Sequence, residues 1–562
     1  MTTNAAASET QIAYHRRRME ELKQVRMPWE RCWRSLGEYI EPTRLKMTNA
    51  KEGFASRDKI IDSTGTFALR TLASGMHSGI TSPARPWFRL GTPDPDLKDF
   101  APVKLYLSTV ERLMREVFQR SNVYNAFHVG YGDLGLFGQS CGILAGDDAK
   151  IVRMQQLVHG QFWIARDESG RATTLYRVFR WTVQKIVGRF GYDNCSRVIQ
   201  QAFDTAKYGD MFDICHAIEP RMVRNPDMID KKNMPFLSNY WEESGGERKL
   251  LEESGFRENP IVAPPWELSG DDTYALSPGQ IALGDIKMLQ LEQTRKLEAI
   301  DKKVRPPMTG PTSMRNNPSS LLPGSVTYSD DPTGKGYRAA IDVNLNLSDL
   351  RQDIQDVSER ANQSFYADLF LMLANMEGIQ PRNNFEIAER KEEKLLALGP
   401  VLENVYGGQL EPVIDRTYAE MNRRDMLPPP PKELENVELD VEYISILAQA
   451  QKAVATGAIE RGYAFAGQLA AVKPDVLDKL DADEAIDTYF DYLGVPPSLV
   501  VADDEVTKIR QARLKQQQQA QAAEMAATVA PAMNQGAQAA AVLADAQNNA
   551  GGAGLLQQIG LA

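Results

Sequence analysis

Apolar and polar residues alternate along this chain with a helical period in some stretches and a strand period in others. Between residues 10 and 40, Leu22, Val25, Trp29, Trp33, Leu36 and Ile40 recur every three or four positions, which predicts a helix. Pro28 lies inside it and predicts either a kink or the start of a second helix. The stretch from Asp62 to Leu90 predicts a helix capped by Asp62 or Ser63. Phe67, Leu69, Leu72 and Met76 are its expected apolar contacts, and Gly75, Ser78 and Gly79 are where another backbone can come close. Pro83 and Pro86 end that helix, and Trp87 and Phe88 anchor the chain beyond it. Residues 101–130 repeat the pattern with Val103, Leu105, Leu107, Val110, Leu113, Met114, Val117 and Phe118. From Gly142 to about Leu250 the texture turns to short β-rich runs. Gln161–Ala165, a Glu168-Ser-Gly170 turn and Thr173–Trp181 read as a hairpin in an α+β body.

The second half is dominated by long helices. Ser277-Pro278 is a cap followed by proline at the first helical position. The helix it opens runs to about Lys303, where Pro306 and Pro307 stop it, a length of about 40 Å. Ile286, Leu289, Leu297, Ile300 and Val304 keep one face apolar, and Lys287, Glu292, Arg295, Lys296, Glu298 and Lys302 charge the remainder. Such a helix either lies on a globular core or is a strut packed against copies of itself. Residues 305–346 are rich in Pro, Gly, Ser and Asn, with a strand-like run at Ser325–Tyr328. A second long helix is expected from Leu347 to about Leu373, and a third from about Asn384 to Arg424, separated by Ala374–Asn383. Pro428–Pro431 form a stiff stop. Residues 440–502 read as a small helical module, and from Glu505 the chain becomes an Ala- and Gln-rich helix former or tail.

Composition narrows the function. At 562 residues several domains are expected. A net charge of −11 argues against a tight DNA binder, yet an acidic wall would let DNA slide past without sticking. Four scattered cysteines, Cys32, Cys141, Cys195 and Cys215, suit a reducing compartment. No secretory signal and no run of roughly 18 apolar residues is present, so a protein made in the cytosol and not in a membrane is expected. Gly138-Gln-Ser-Cys-Gly142 matches a nucleophile-elbow pattern but lacks its strand–turn–helix context, and only His159 and His216 come after it; close packing at the glycines is expected instead. Thr333-Gly-Lys-Gly336 fails the phosphate-loop spacing. No clustered Cys/His or calcium-loop pattern exists, so neither a metal nor a cofactor is expected. Acid pairs such as Asp147-Asp148 read as solvated loop charges.

A long chain without reaction chemistry points to a structural machine. Its segments resemble the portal, or head-to-tail connector, proteins of short-tailed (podovirus-type) bacteriophages. The resemblance is carried by Leu22–Pro42 with Trp29 and Trp33, by 62–90, by Asp133–Gly138 and Tyr176–Thr182, and by Ser277–Leu289 with Pro306-Pro307. It is densest at Glu389–Pro400, Glu411–Arg416 and Leu427–Pro431. Asn383–Ala388 departs from it, where similar chains carry a Thr-containing helix start.

The resemblance implies a mainly helical α+β portal fold with wing, stem, clip and crown regions and a C-terminal helical barrel. Residues 1–276 would be the wing, 277–303 the first stem helix, 304–346 the clip and 347–373 the second stem helix. Residues 374–430 would hold the channel loop and a long wing helix, 431–504 a wing or crown module, and 505–562 the barrel. It further implies a homo-oligomer, a dodecameric ring at one capsid vertex of the virion, assembled in the host cytoplasm. Its partners would be capsid and scaffolding proteins, the terminase packaging motor, tail adaptors and, non-specifically in the channel, double-stranded DNA. Arg382, Asn383 and Asn384 are the candidate channel-loop contacts to DNA, and Trp29, Trp33, Trp87 and Phe88 the structural anchors. The competing reading is an internal virion or scaffolding protein with no DNA channel, which would not need the α+β body at 142–250.

Overall fold

The computed structural model describes residues 2–46, 57–94, 97, 100–228, 230–243, 250–310, 312, 315, 338–339, 347–374, 398–434, 440–444, 462–470, 473, 479–492, 501 and 506–521. Helix α1 (Thr2–Tyr39) runs through Pro28 without a break. Met19, Leu22, Trp33, Leu36 and Ile40 are buried, and Trp29 packs half-buried beside them. Val25, expected inward, is exposed; Arg26 takes the inward position. A helical step from Leu22 falls between the two residues, and Arg26 can satisfy its charge there. Its Nη1 donates to the carbonyls of Gly160 and Phe162 (3.2 and 2.6 Å), its Nη2 to Glu30 (2.8 Å), and the guanidinium lies 4.3 Å from the centre of the Trp163 ring.

Helices α2 (Thr64–Ile80), α3 (Ala101–Arg120) and α4 (Val123–Phe137) build the main core with α1. The single helical pattern expected over 101–130 is two helices. Asn122 breaks it by clasping the backbone of Met154, donating from Nδ2 (2.6 Å) and accepting at Oδ1 (3.0 Å). At the start of α2 the Asp62 carboxylate accepts from Thr64 N–H at 2.8 Å. Leu69, Leu72 and Met76 are buried as expected, whereas Phe67 on α2 and Leu105 on α3 face outward. Gly75 accommodates the Phe370 ring, which any Cβ would strike; the group that comes close there is a side chain, not a backbone.

Strand β1 (Phe88–Gly91), between α2 and α3 in the chain, pairs antiparallel with the strand Asp440–Tyr443. That strand corrects the expectation of a wholly helical module from residue 440, although helical turns recur at 462–470 and Ala482–Tyr492. Strands β2 (Gly142–Asp147), β3 (Ile151–Gln156), β4 (Phe162–Arg166), β5 (Ala172–Thr182), β6 (Met211–Pro220), β7 (Phe236–Glu242), β8 (Leu250–Phe256) and β9 (Ile261–Val262) form two sheets. One is ordered β3-β2-β9 and the other β4-β5-β6-β7-β8, with neighbours antiparallel throughout. The hairpin expected from 161 to 181 is β4–β5. Helices α5 (Val183–Phe190) and α6 (Arg197–Asp204) lie between β5 and β6 over a small core of their own.

A buried polar network fixes α1 to the larger sheet. His15 Nδ1 lies 2.8 Å from the Tyr176 hydroxyl, which donates to Glu219 (3.1 Å). Asn239 Nδ2 donates to His15 Nε2 at 3.0 Å, so the imidazole is neutral with its proton on Nδ1. Burial lowers its pKa to about 4, in keeping with that state.

Helices α7 (Pro278–Val304), α8 (Leu347–Ser364), α9 (Ala367–Ala374), α10 (Gly399–Val405) and α11 (Glu411–Arg423) follow the sheets, and residues 506–521 are helical as well. The helix expected from 347 to 373 breaks after Ser364, where Tyr366 adopts a left-handed φ of 54°. Between α10 and α11 the chain widens into a π-helical turn, Tyr406–Leu410. A Cβ on Gly408 would meet the Pro264 backbone at 3.0 Å, so the wide turn sits flush against the body. Among the described residues, no helix is long and apolar enough to cross a membrane.

Candidate functional site: a helix pair leaving the body

Helix α7 begins inside the body. Ser277 Oγ accepts from Gln280 N–H at 3.0 Å, and the Gln280 side chain accepts from Ser277 N–H at 3.2 Å, a complete capping box. The same Ser277 hydroxyl donates to the Leu136 carbonyl at 2.9 Å. Gly279 lets the backbones close, since a Cβ there would stand 2.6 Å from Leu136 O. Three turns on, Gln290 clamps the segment before α2. Its Oε1 accepts from the N–H groups of Ile61 and Asp62 (both 2.7 Å), and its Nε2 donates to Asp62 O (2.9 Å). Gln293 adds a bond to the Asp62 carboxylate at 3.1 Å. Sequence patterning has no means of marking Gln290: a glutamine in an apolar register looks like a surface residue until its distant backbone partners are known.

Helix α8 runs antiparallel to α7. Arg360 pairs with Asp285 at 3.3 Å, and seven residues along each helix Glu292 opposes Asp353. Ile286 and Leu289 meet Ile354, Val357 and Ala361 in the shared core. Beyond Glu292, no residue of α7 is buried. The apolar face nevertheless continues outward through Leu297, Ile300 and Val304, of which Leu297 is 58% and Val304 71% exposed. A second apolar stripe, Ile281, Met288 and Leu291, occupies the other flank of the inner half; Ile281 is 60% exposed. Nothing lies within 4 Å of a Cβ placed on Gly284 in that stripe. Past the helix end, with Lys302 and Lys303 in its last turn, Met308–Thr309 pairs antiparallel with Arg338–Ala339. The chain that leaves the tip of α7 therefore returns to it before α8 begins.

The sequence-predicted residues fall elsewhere. Trp87 is buried with its Nε1 donating to the Tyr124 hydroxyl (3.1 Å) and its ring stacked on Phe118 at 5.9 Å; Phe88 is fully buried beside it. Trp33 is buried edge-on to His159 (5.0 Å) and Tyr274 (5.1 Å), and Trp29 reaches Tyr274 at 6.3 Å. Arg382, Asn383 and Asn384, the 374–384 loop beyond Ala374, the Ser325–Tyr328 run and the tail beyond 521 lie outside the described residues.

The Gly138–Gly142 segment is not a strand-to-helix elbow. It is a helix-to-strand turn in which Gly138, at φ 78°, closes α4, and any Cβ there would overlap the Ala275 carbonyl. Ser140 is buried and accepts from Gln156 Nε2 at 2.9 Å, and burial pushes the Cys141 thiol far above its ordinary range. His159 stacks on Phe137 at 4.2 Å, and His216 is held by Arg177 (3.0 Å) and Ser238 (2.9 Å). Among the described residues, no group of three or more His, Cys, Asp or Glu is placed to hold a metal ion.

A family model described as bacteriophage head to tail connecting protein matches residues 14–501. The chain is 45% identical over 531 residues to a probable portal protein of Bordetella phage BPP-1, covering 94% of each. It is 43% identical over 522 residues to the portal protein of Salmonella phage epsilon15, covering 92% of this chain and 94% of that one. The neck of an empty GTA particle is similar at 11% identity and a TM-score of 0.31, over 71% of this chain and 86% of that one, a likeness too remote to place elements. The chain thus belongs to the bacteriophage head-to-tail connecting family, the portal proteins.

Proposed function

We propose that copies of this chain close into a ring, a dodecamer by the family's plan, at one vertex of the phage capsid, and that genomic double-stranded DNA passes through it during packaging and ejection. The observation that carries this reading is α7. One charged helix, locked to the body at its base, presents two apolar stripes that no described part of its own chain covers, Ile281–Met288–Leu291 inside and Leu297–Ile300–Val304 outside. A cyclic ring uses two different faces of every subunit, and a helix with uncovered stripes on both flanks suits it.

On this reading α7 and α8 are the stem. The segment between them is the clip offered to the packaging motor and later to tail adaptors. The Ala374–Asn384 loop lines the channel, and 505–562 forms the barrel. The protein acts as a connector with no catalytic step of its own. The net charge of −11 fits a wall that DNA must slide along. The test is the paired substitution Ile281→Asp with Leu291→Asp. Mass photometry should show large oligomers for the parent chain and monomers for the variant, with an unchanged circular dichroism spectrum. Oligomers of equal size in both would remove α7 from the interface.

A further inference from the structure

Glu292 is 7% exposed, and neither of its carboxyl oxygens has a hydrogen-bond donor among the described residues. A bare carboxylate in that position is heavily disfavoured. The group that faces it across the helix pair, seven residues along each helix from the Asp285–Arg360 pair, is another acid, Asp353. Two ionised carboxylates are acceptors only and cannot bond to one another. The cation that bears on the pair from α8 is Arg360, and it is already engaged by Asp285 at 3.3 Å. From the segment before α2, the Asp62 carboxylate accepts from Gln293 Nε2 and from Thr64 N–H. One turn away on α7 stand Arg295 and Lys296, and on α8 Asp349 and Asp356, so α8 adds negative charge on that side.

We infer that Glu292 carries a proton in the folded chain and donates it to the Asp353 carboxylate, and that this bond clamps α7 to α8 where the outer half of α7 leaves the body. The contact lies within one chain, so the inference stands apart from the ring. Burial first, and the neighbouring Asp353 second, hold the Glu292 carboxyl above its ordinary range of 4.5, with Arg360 offsetting part. Protonated Glu292 is the favoured folded form. Its contribution is fully present below the ordinary carboxylate range and is lost as pH rises through the elevated value. Release would loosen the root of the outer helix and leave the body untouched.

The test is amide hydrogen exchange on the full-length protein, corrected for intrinsic rates and read over 285–300 and 347–362. Between about pH 5 and about pH 8, protection in the parent chain should fall roughly tenfold. Glu292→Gln and Asp353→Asn each replace one acid by an amide that donates to the other. Each should hold the parent's low-pH protection at both pH values. Three results would overturn the proposal. The parent could show no pH dependence in these segments. Both amide variants could be less protected than the parent throughout. Magnesium chloride could restore protection to the parent, but not to Glu292→Gln, at about pH 8, which would put a cation where the proton is placed.

Discussion

Trp87 and Asp133 show how much single residues decide. Trp87 fills the junction of α2, α3, α4 and β1, and both its stacking and its indole bond to Tyr124 are internal. Trp87→Ala should cost about 3–5 kcal/mol, read as a lowered midpoint in urea unfolding. Burial raises the Asp133 carboxyl to about 6 from an ordinary 3.8, and Arg44, at 3.0 Å, offsets only part of this. The ionised form is the one the fold disfavours. Stability from this site is therefore complete below the ordinary carboxylate range and declines as pH rises through about 6. Asp133→Asn should abolish the decline, gaining up to about 3 kcal/mol on the parent at neutral pH; a parallel pH dependence in both proteins would contradict this. Trp33, Trp87 and Phe88 are buried and Trp29 half-buried, the environment that large aromatic side chains favour. Arg26 was not legible in the sequence as a core residue, because the carbonyls that accept from it inside the core lie more than 130 positions away. Phe67 and Leu105 misled for the converse reason: apolar spacing marks a face, and whether that face is covered depends on packing.

The elements themselves were largely written in the spacing. The capping box at Ser277 and the helix it opens arise from local chemistry alone, and the β4–β5 hairpin from alternation and its glycine turn. The pattern missed interruptions imposed from outside a helix. Asn122 divides α3 from α4 because its side chain bonds a strand, and Tyr366 turns left-handed between α8 and α9. The strand Asp440–Tyr443 exists because β1 offers it an edge. At this scale Gln290 is the sharpest test. Gln290→Ala leaves the N–H groups of Ile61 and Asp62 without their partner and should cost about 1–3 kcal/mol. Hydrogen exchange should quicken at residues 60–64 before the rest of the body is affected.

For the whole molecule, the sequence is rich in assembly geometry: long charged helices, an acidic balance and apolar stripes with no partner among the described residues of their own chain. The proposed DNA contacts could be named from the family resemblance but not from physics, since nothing in the residue types of Arg382, Asn383 and Asn384 sets them apart from other polar stretches of the sequence. Arg382→Glu should alter the amount of genome retained in assembled heads, read by quantitative DNA extraction; unchanged content would remove that residue from the channel. The central claim is that α7 makes the contacts of a closed ring. Cryo-electron microscopy of the purified full-length protein tests it most directly. Closed rings are expected around a hole wide enough for double-stranded DNA, with Ile281, Met288 and Leu291 of each copy buried against the next. Monomers, open filaments, or rings in which α7 stays exposed would contradict it.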